Sequence, residues 1–518
     1  MANLLATKPL SVLMNEAQET GEHSLKRALG PVNLVTLGIG AIIGAGIFVL
    51  TGNAAAQYAG PAITLSYVLA GLGCVFAGLC YAEFASLIPI AGSAYTYGYA
   101  TLGEFFAWII GWDLILEYAF GAATVASGWA GTIIFFLQSF GINLPPRLTA
   151  TPGTDLYFVN NAWQAAGAPS LVGLSPSQLA ALPHEVGIFN LIAFLGIMMI
   201  TVILVVGIKE SANFNTTIVF IKLVAVVIFI AVAASWVIAH PAQARANWTP
   251  FIPLNTGSFG SHGWSGIARG ASVVFFAYIG FDAVSTAAQE ARNPQRDMPI
   301  GIMGSLLICT FLYIVVAGLL TGVVHYPSLN VAAPVSLAMQ QIGLRWGSIL
   351  VNAGAIAGLS TVMLVMMLGQ TRVFYSMSRD GLLWKWAGEI HPRFRTPWKS
   401  TIIMGLFVGV FTSVVPIGIL GQLVSIGTLL AFVIVSVGVM ILRKRRPDLH
   451  RPFRTPWVPF VPIMAIVLAL GLMLALPHDT WIRLVVWLAI GMVIYFTYGR
   501  HHSKVQQGHP EAVLEPTR

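Results

Sequence analysis

The sequence predicts an all-α integral membrane protein with twelve transmembrane helices, and three observations carry that prediction. Of 518 residues, 57% are apolar and 9% charged, with a mean hydropathy of +0.79, whereas a soluble domain carries roughly 25% charged residues. No formal charge occurs between Arg27 and Glu83, which leaves room for two spans of about 20 residues each. The basic residues sit in short segments between apolar blocks, where they set topology rather than bind nucleic acid. An ordinary soluble enzyme and a long disordered tail are excluded by this composition.

Residues 1–30 form an N-terminal segment without the apolar core and small-residue cleavage site of a signal peptide. Apolar blocks long enough to cross about 30 Å of hydrocarbon follow near 32–57, 62–88, 102–138, 186–208, 213–238, 265–290, 301–323, 345–376, 400–420, 422–442, 457–476 and 480–498. With the N-terminus inside, the inner segments hold 21 of the 27 basic residues, including Arg443, Lys444, Arg445 and Arg446. The outer segments hold five, Arg147, Arg245, Arg269, Arg345 and Arg483, and Lys222 lies within a span. That bias orients a multi-pass protein in the cell inner membrane with both ends inside. The connection 139–185, rich in Pro, Gly, Ser and Ala, is expected outside, with short helices over the outer mouth. Two inner loops, HPRFRTPW (391–398) and HRPFRTPW (450–457), are near copies. Their arginines suit phosphate headgroups, and their prolines fix the chain before the next helix. Cys74, Cys80 and Cys309 lie in apolar segments without metal or disulfide spacing and read as small hydrophobes.

The first span, LVTLGIGAIIGAGIFVLTG, carries Gly38, Gly40, Gly44, Gly46 and Gly52. A dinucleotide loop is excluded, because it needs a preceding strand, polar surroundings and an acid about 20 residues onward. Two readings stay open. One is a small-residue packing face, with Gly40 and Gly44 four apart. The other is a discontinuous helix, unwound near 43–46, whose free N–H and C=O groups bind ions. The sixth span contains a second candidate break, where Gly280 precedes Phe281 and Asp282. Breaks in spans one and six are the pattern of two five-helix halves repeated with inverted topology. Backbone opened in this way suits an α-amino acid, whose carboxylate meets N–H groups and whose ammonium meets carbonyls. Phe276 and Phe281 either close over such a ligand or pack the core.

Charges within spans are costly unless they face protein or water. Lys222 lies about ten residues into span five, too deep for its stem of about 6 Å to snorkel. An amine held there can lose and regain a proton, so a proton can take the place of a coupling ion. Asp113 and Glu117 are four apart and share a helix face. Both read as members of a polar network between helices, with Glu117 alternatively lining the pocket. Asp282 either caps freed N–H groups or touches ligand, while Glu83 and Glu104 fall at inner helix ends as interfacial or gating groups.

The runs GIGAIIGAGIFVLTG (38–52), YAEFASLIPIAGSAYTY (81–97), GWDLILEY (111–118), FFAYIGFDAVSTAAQEARNPQRDMPIGI (275–302), GQTRVFYSMSRDGLL (369–383) and RPDLHRPFRTPWVP (446–459) together resemble the amino acid, polyamine and organocation transporter superfamily. The resemblance is closer to bacterial members of its cationic amino acid transporter branch. It implies a LeuT-like fold: a cytoplasmic segment 1–30, a transport core 31–442 with inverted repeats at 31–238 and 265–442, helices 11 and 12 with their basic loop at 443–498, and a cytoplasmic tail 499–518. It further implies that Ile42, Ile43, Gly44, Ala45, Gly46 and Ile47 bind the substrate carboxylate and amino group, and that Phe276, Ala277, Tyr278 and Ile279 supply carbonyls. The lysine of proton-coupled relatives falls on Lys222, the acidic residue of helix 3 on Glu117, and the helix 8 pocket residue on Met366. Animal cationic transporters carry small or polar residues at the position of Met366, so small neutral substrates such as alanine are favoured here.

The expected function is secondary import of L-amino acids with protons by alternating access. The alternatives are proton-independent exchange and transport of arginine or lysine. No HExxH motif, no histidine cluster beside an acidic pair and no haem-ligating histidine occurs in a span, so an enzyme is not expected. Neither is a cofactor, a metal or a nucleic acid partner. Membrane lipids and protons are expected partners, and a small accompanying membrane subunit is left open.

Overall fold

The computed structural model of the protein describes residues 4–9, 29–88, 93–166, 168, 170–171, 174–206, 212–286, 288, 291–394 and 396–507. Most of the N-terminal segment 1–30 and the end of the tail 499–518 therefore lie outside the described residues, as does Arg395 of the first echoed loop. Among the described residues, seven helical segments are long and apolar enough to cross a membrane: Gly46–Leu87, Glu104–Gln138, Ile218–Ala239, Pro294–Val323, Arg345–Arg379, Ile417–Arg445 and His478–His502. Pro31–Ile42, Leu191–Val206, Trp398–Val414 and Phe460–Ala475 are apolar but hold only 10–17 residues. At about 1.5 Å per residue the longest of these reaches about 26 Å, short of the ~30 Å hydrocarbon layer.

The expected twelve-helix, five-plus-five inverted, LeuT-like architecture is thereby corrected to seven long apolar helical segments, with discontinuous helices among the rest. Apolar composition marks where a chain avoids water, but it does not fix where the helical hydrogen-bond ladder stops. The predicted spans 32–57 and 62–88 share one helical run from Gly46 to Leu87. The predicted span 265–290 leaves α-helical geometry after Val274.

The helices that build the site and the bundle are α1 (Pro31–Ile42), α2 (Ile63–Leu87), α3 (Glu104–Ile115), α4 (Gly121–Gln138), α5 (Leu191–Val206), α6 (Ala212–Ala239), α7 (Gly263–Val274), α8 (Pro294–Val323), α9 (Arg345–Arg379), α10 (Trp398–Val414), α11 (Ile417–Arg445), α12 (Phe460–Ala475) and α13 (His478–Ile494). One buried apolar cluster runs through them, from Leu34 in α1 to Leu484 in α13.

The connection 139–185 departs from its expectation of short helices. It forms a three-stranded antiparallel sheet in the order β2-β1-β3, from β1 (Asp155–Val159), β2 (Ala162–Ala165) and β3 (His184–Val186). Val159 pairs with Ala162 across a two-residue turn, where Asn160 and Asn161 take φ of 52° and 62°. Asparagine tolerates positive φ at both central positions, and the resulting turn matches the twist of a tight hairpin. The signal was present in the sequence as Asn-Asn between aromatic strand residues. A short α-helix, Pro176–Ala180, and a 3-10 turn, Pro146–Leu148, accompany the sheet.

At the other end of the bundle the two echoed loops play one role. Thr455 Oγ1 donates to the carbonyl of Leu79 in α2 at 3.0 Å, and Thr396 Oγ1 donates to the carbonyl of Val205 in α5 at 2.8 Å. Each threonine bonds a helix carbonyl: Val205 lies in the last turn of α5, where a helix end leaves carbonyls free, while Leu79 lies about two turns before the end of α2 and gains Thr455 as an added donor. Arg451 does not project outward as expected. It is buried, with Nε 3.3 Å from Glu83 Oε1. Glu83 also takes a bidentate pair from Arg443, at 3.1 and 2.6 Å, and the Thr455 N–H at 2.8 Å. Glu104 accepts from the hydroxyls of Tyr99 and Tyr495, each at 3.0 Å, and from Ser503. Both glutamates thus tie elements distant in sequence.

Candidate functional site

The glycine-rich first span breaks where its backbone is least constrained. The helix α1 ends at Ile42, Ile43 turns extended at φ −73°, ψ 105°, and a π-helical turn over Gly46–Leu50 resumes the path. A helix end leaves carbonyls without internal donors, and here side chains from other helices supply them. Lys222 of α6 donates from Nζ to the carbonyls of Gly40 and, at 2.9 Å, Ile43. The Tyr313 hydroxyl of α8 lies 2.8 Å from the Ile42 carbonyl and 2.7 Å from that of Ala277, sharing its hydrogen between them. Gly46 O accepts from Thr51 Oγ1 at 2.8 Å and from the Tyr67 hydroxyl at 3.2 Å.

The second break faces the first. After α7 a 3-10 turn covers Phe275–Tyr278, Ile279 is extended at ψ 135°, and Gly280 takes φ +109°. Only glycine adopts that φ without strain, and a Cβ there would stand 3.0 Å from the carbonyl oxygen of Ala41. The breaks abut directly: a Cβ on Gly46 would collide with Cα and Cβ of Ala277. Of the residues proposed from the sequence, Ile42–Ile47 and Phe276–Ile279 are therefore brought together, and Lys222 joins them at full burial.

A third irregularity lies in the run from α3 to α4. A π-helical turn over Leu116–Phe120 holds Glu117 and Tyr118, an insertion of the kind that re-aims side chains at functional positions. The Tyr118 hydroxyl donates to Asp282 Oδ2 at 3.0 Å, tying this turn to the segment after the second break. Asp113 and Asp282 are also buried, but neither Asp113 carboxylate oxygen has a hydrogen-bond partner among the described residues, so the expected polar network does not reach it there.

Helix α9 supplies a wall. Its Gly358 admits the Lys222 stem, since a Cβ there would lie 3.1 Å from Lys222 Cδ. One turn on, Val362 Cγ2 would stand 2.9 Å from a Cβ on Gly44. Met366, one turn further, is buried against Gly121 of α4, with Sδ 3.5 Å from the position a Cβ would take. The α9 side chain against the first break is thus Val362, which sequence reasoning missed. One β-branched residue in a long apolar run gives no distinguishing signal. Tyr67 and Tyr313 were also missed. Their signal was available, because a tyrosine hydroxyl buried in an apolar span requires a partner. Their rings lie 5.2 Å apart and share Tyr278 as a neighbour.

Chemically, the arrangement offers backbone polar groups at two apposed breaks, one amine on the carbonyls of the first, and carboxylates beyond the second. No cluster of His, Cys, Asp and Glu suited to a metal ion occurs among the described residues.

The sequence profile of amino acid permeases matches residues 29–496. A branched-chain amino acid permease of Bacillus subtilis is 47% identical over 492 residues, covering 95% of this chain and 97% of that protein. A methylthioribose transporter of the same organism is 41% identical over 503 residues, covering 97% and 99%. A vacuolar cationic amino acid transporter of Arabidopsis thaliana is 37% identical over 430 residues, covering 83% of this chain and 65% of that protein.

Proposed function

The chain belongs to the amino acid permease family, and from that premise we propose that it imports neutral L-amino acids together with protons by alternating access. Secondary transport of amino acids across a membrane, rather than catalysis, is the activity of the family. The observation that carries the finer reading is the pair of carbonyls at Gly40 and Ile43, freed by the break in α1 and both held by the Lys222 amine. An ammonium group donates three N–H bonds and a neutral amine two. Lys222 can therefore release a proton and keep both carbonyls, so its charge changes without the break collapsing. A zwitterion presents its carboxylate to the N–H groups of Gly44–Ile47 and its ammonium to the carbonyls of Phe276–Ile279, using backbone common to every amino acid.

Selectivity then falls to the walls. Val362 and Met366 are apolar and buried, and identity to the branched-chain relative exceeds that to the vacuolar cationic one. Both support neutral side chains, from alanine to leucine. Transport of lysine or arginine would instead place the cationic relatives closer in substrate.

The test is counterflow in proteoliposomes with labelled leucine, competed by alanine, valine, leucine, lysine, arginine and methylthioribose, with and without an imposed acid-outside gradient. Competition by the neutral amino acids, with uptake raised by the gradient, is the expected result. Stronger competition by lysine and arginine would overturn the substrate class, and uptake indifferent to the gradient would leave exchange in place of symport.

A further inference from the structure

The breaks account for Lys222, but they leave Asp113 unexplained. It lies one turn before Glu117 on α3, about 6 Å along the axis towards the end of the bundle that carries the basic loops. It is 1% exposed, and neither Oδ1 nor Oδ2 has a hydrogen-bond partner among the described residues. Against it stands Gly427 of α11, where a Cβ would lie 3.1 Å from Oδ1 and 3.2 Å from Leu116 Cβ. Burying a carboxylate without a hydrogen-bond donor or a paired cation is costly for its ionised form.

Several charged and titratable groups on the elements packed around α3 are engaged with other partners. Arg443 at the end of α11 is paired with Glu83. Asp380, just past α9, accepts from Lys8 at 3.1 Å and from Tyr95 at 2.6 Å. The Tyr495 hydroxyl beyond α13 donates to Glu104. Arg372 and Arg379 occupy the last turns of α9, Lys444 and Arg445 end α11, and Tyr97 and Tyr99 lie in the segment 93–101. Glu117 has one buried oxygen, Oε1, without a partner.

A second buried group lies near the same carboxylates. The Tyr81 hydroxyl of α2 is fully buried and has no hydrogen-bond partner among the described residues, and the charges acting on it are foremost those of Asp282 and Glu117, with Asp113 a weaker one. Among the described residues these carboxylates are not part of a group suited to a metal ion.

We propose that Asp113 is a proton-binding site on the basic-loop side of the paired breaks, passing protons between the Glu117, Tyr118 and Asp282 group and water at that end. The proposal rests on the proton coupling put forward above. An O–H bond breaks at a carboxyl of Glu117 or Asp282 as one forms at an Asp113 oxygen, leaving the donor a carboxylate, and the Asp113 O–H breaks in turn when water accepts the proton. No electron is transferred.

The experiment uses the full chain reconstituted in liposomes. Infrared spectra across the pH range are compared for the natural protein and for Asp113→Asn, Asp113→Glu and Lys222→Ala, in water and heavy water. At neutral pH the natural protein is expected to show a protonated-carboxyl stretching band that shifts in heavy water. Asp113→Asn should lose one component of it, and Asp113→Glu should move that component. In paired transport assays, Asp113→Asn should lose gradient-driven accumulation relative to its own counterflow. A band unchanged by both Asp113 variants would overturn the proposal, whatever Lys222→Ala does. So would accumulation driven by sodium in the natural protein and lost in Asp113→Asn, which would make the ligand sodium. If Lys222→Ala keeps gradient-driven uptake while the Asp113 band behaves as expected, the Lys222 assignment fails and the Asp113 site stands.

Discussion

At the scale of the residue, Lys222 and His262 make separable demands. Lys222 is fully buried, and its amine is the donor to Gly40 and Ile43. In Lys222→Ala the two carbonyls lose that donor, at a cost of about 1–3 kcal/mol each where water does not replace it. Gradient-driven accumulation by this variant is expected to be abolished, with a lowered Tm, measured as uptake per reconstituted molecule and as thermal unfolding in detergent. Full gradient-driven uptake would remove Lys222 from the coupling step. His262 caps α7 outside the long apolar helices, with φ 65°, its N–H on the Tyr58 carbonyl at 2.9 Å and its buried Nε2 without a partner. Tyr326 lies against its ring. Burial pushes the imidazole below its usual value of 6.5. The unfolded chain takes up this proton near pH 6.5 and the folded one only at lower pH, so stability rises with pH through that window and is lost as pH falls. His262→Asn, which tolerates positive φ, should flatten the fall of Tm below pH 6.5. An unchanged pH profile would assign the acid sensitivity to another group.

At the scale of the element, the two breaks and the π-helical turn decide what the helices can do. Gly46 touches Ala277 so closely that any side chain must separate the two breaks. Gly46→Val is therefore expected to remove ligand-induced thermal stabilisation, while Gly52→Ala, tight against Pro334 away from both breaks, should lower Tm and keep the ligand response. If Gly46→Val responds to ligand normally, the binding site is not at the breaks. The first break was legible as five glycines in one uncharged span, and the second as Gly280 beside Asp282. The sequence left packing and unwinding as rivals for the first because glycine serves both. Ile43 settles the geometry, since its extended backbone ends the ladder. The π-helical turn at Leu116–Phe120 left no sequence mark, because a one-residue register shift needs no special residue.

At the scale of the whole molecule, Glu83 holds α2, α11 and the loop before α12 together through Arg443, Arg451 and the Thr455 N–H. Removing one partner of a buried ion pair strands the others. Glu83→Gln is expected to destabilise the protein by about 3 kcal/mol, the low end for a broken buried pair, because the Arg443 side chain remains 26% exposed. Thermal unfolding in detergent reads the loss, and a Tm equal to that of the natural protein would mean that the arginines are satisfied without Glu83. The sequence by itself determined that the chain is a multi-pass membrane protein and marked two of its apolar segments as candidates to open, since these follow from composition and local backbone preference. Only the tertiary structure decided that, among the described residues, seven helical segments are long enough to cross, that Lys222 and Tyr313 meet the opened carbonyls, that Val362 rather than Met366 faces Gly44, and that Asp113 has no hydrogen-bond partner there. The reason is that a polar group acquires a partner, or fails to, through contacts between residues hundreds of positions apart, and hydropathy carries no record of which helix faces which.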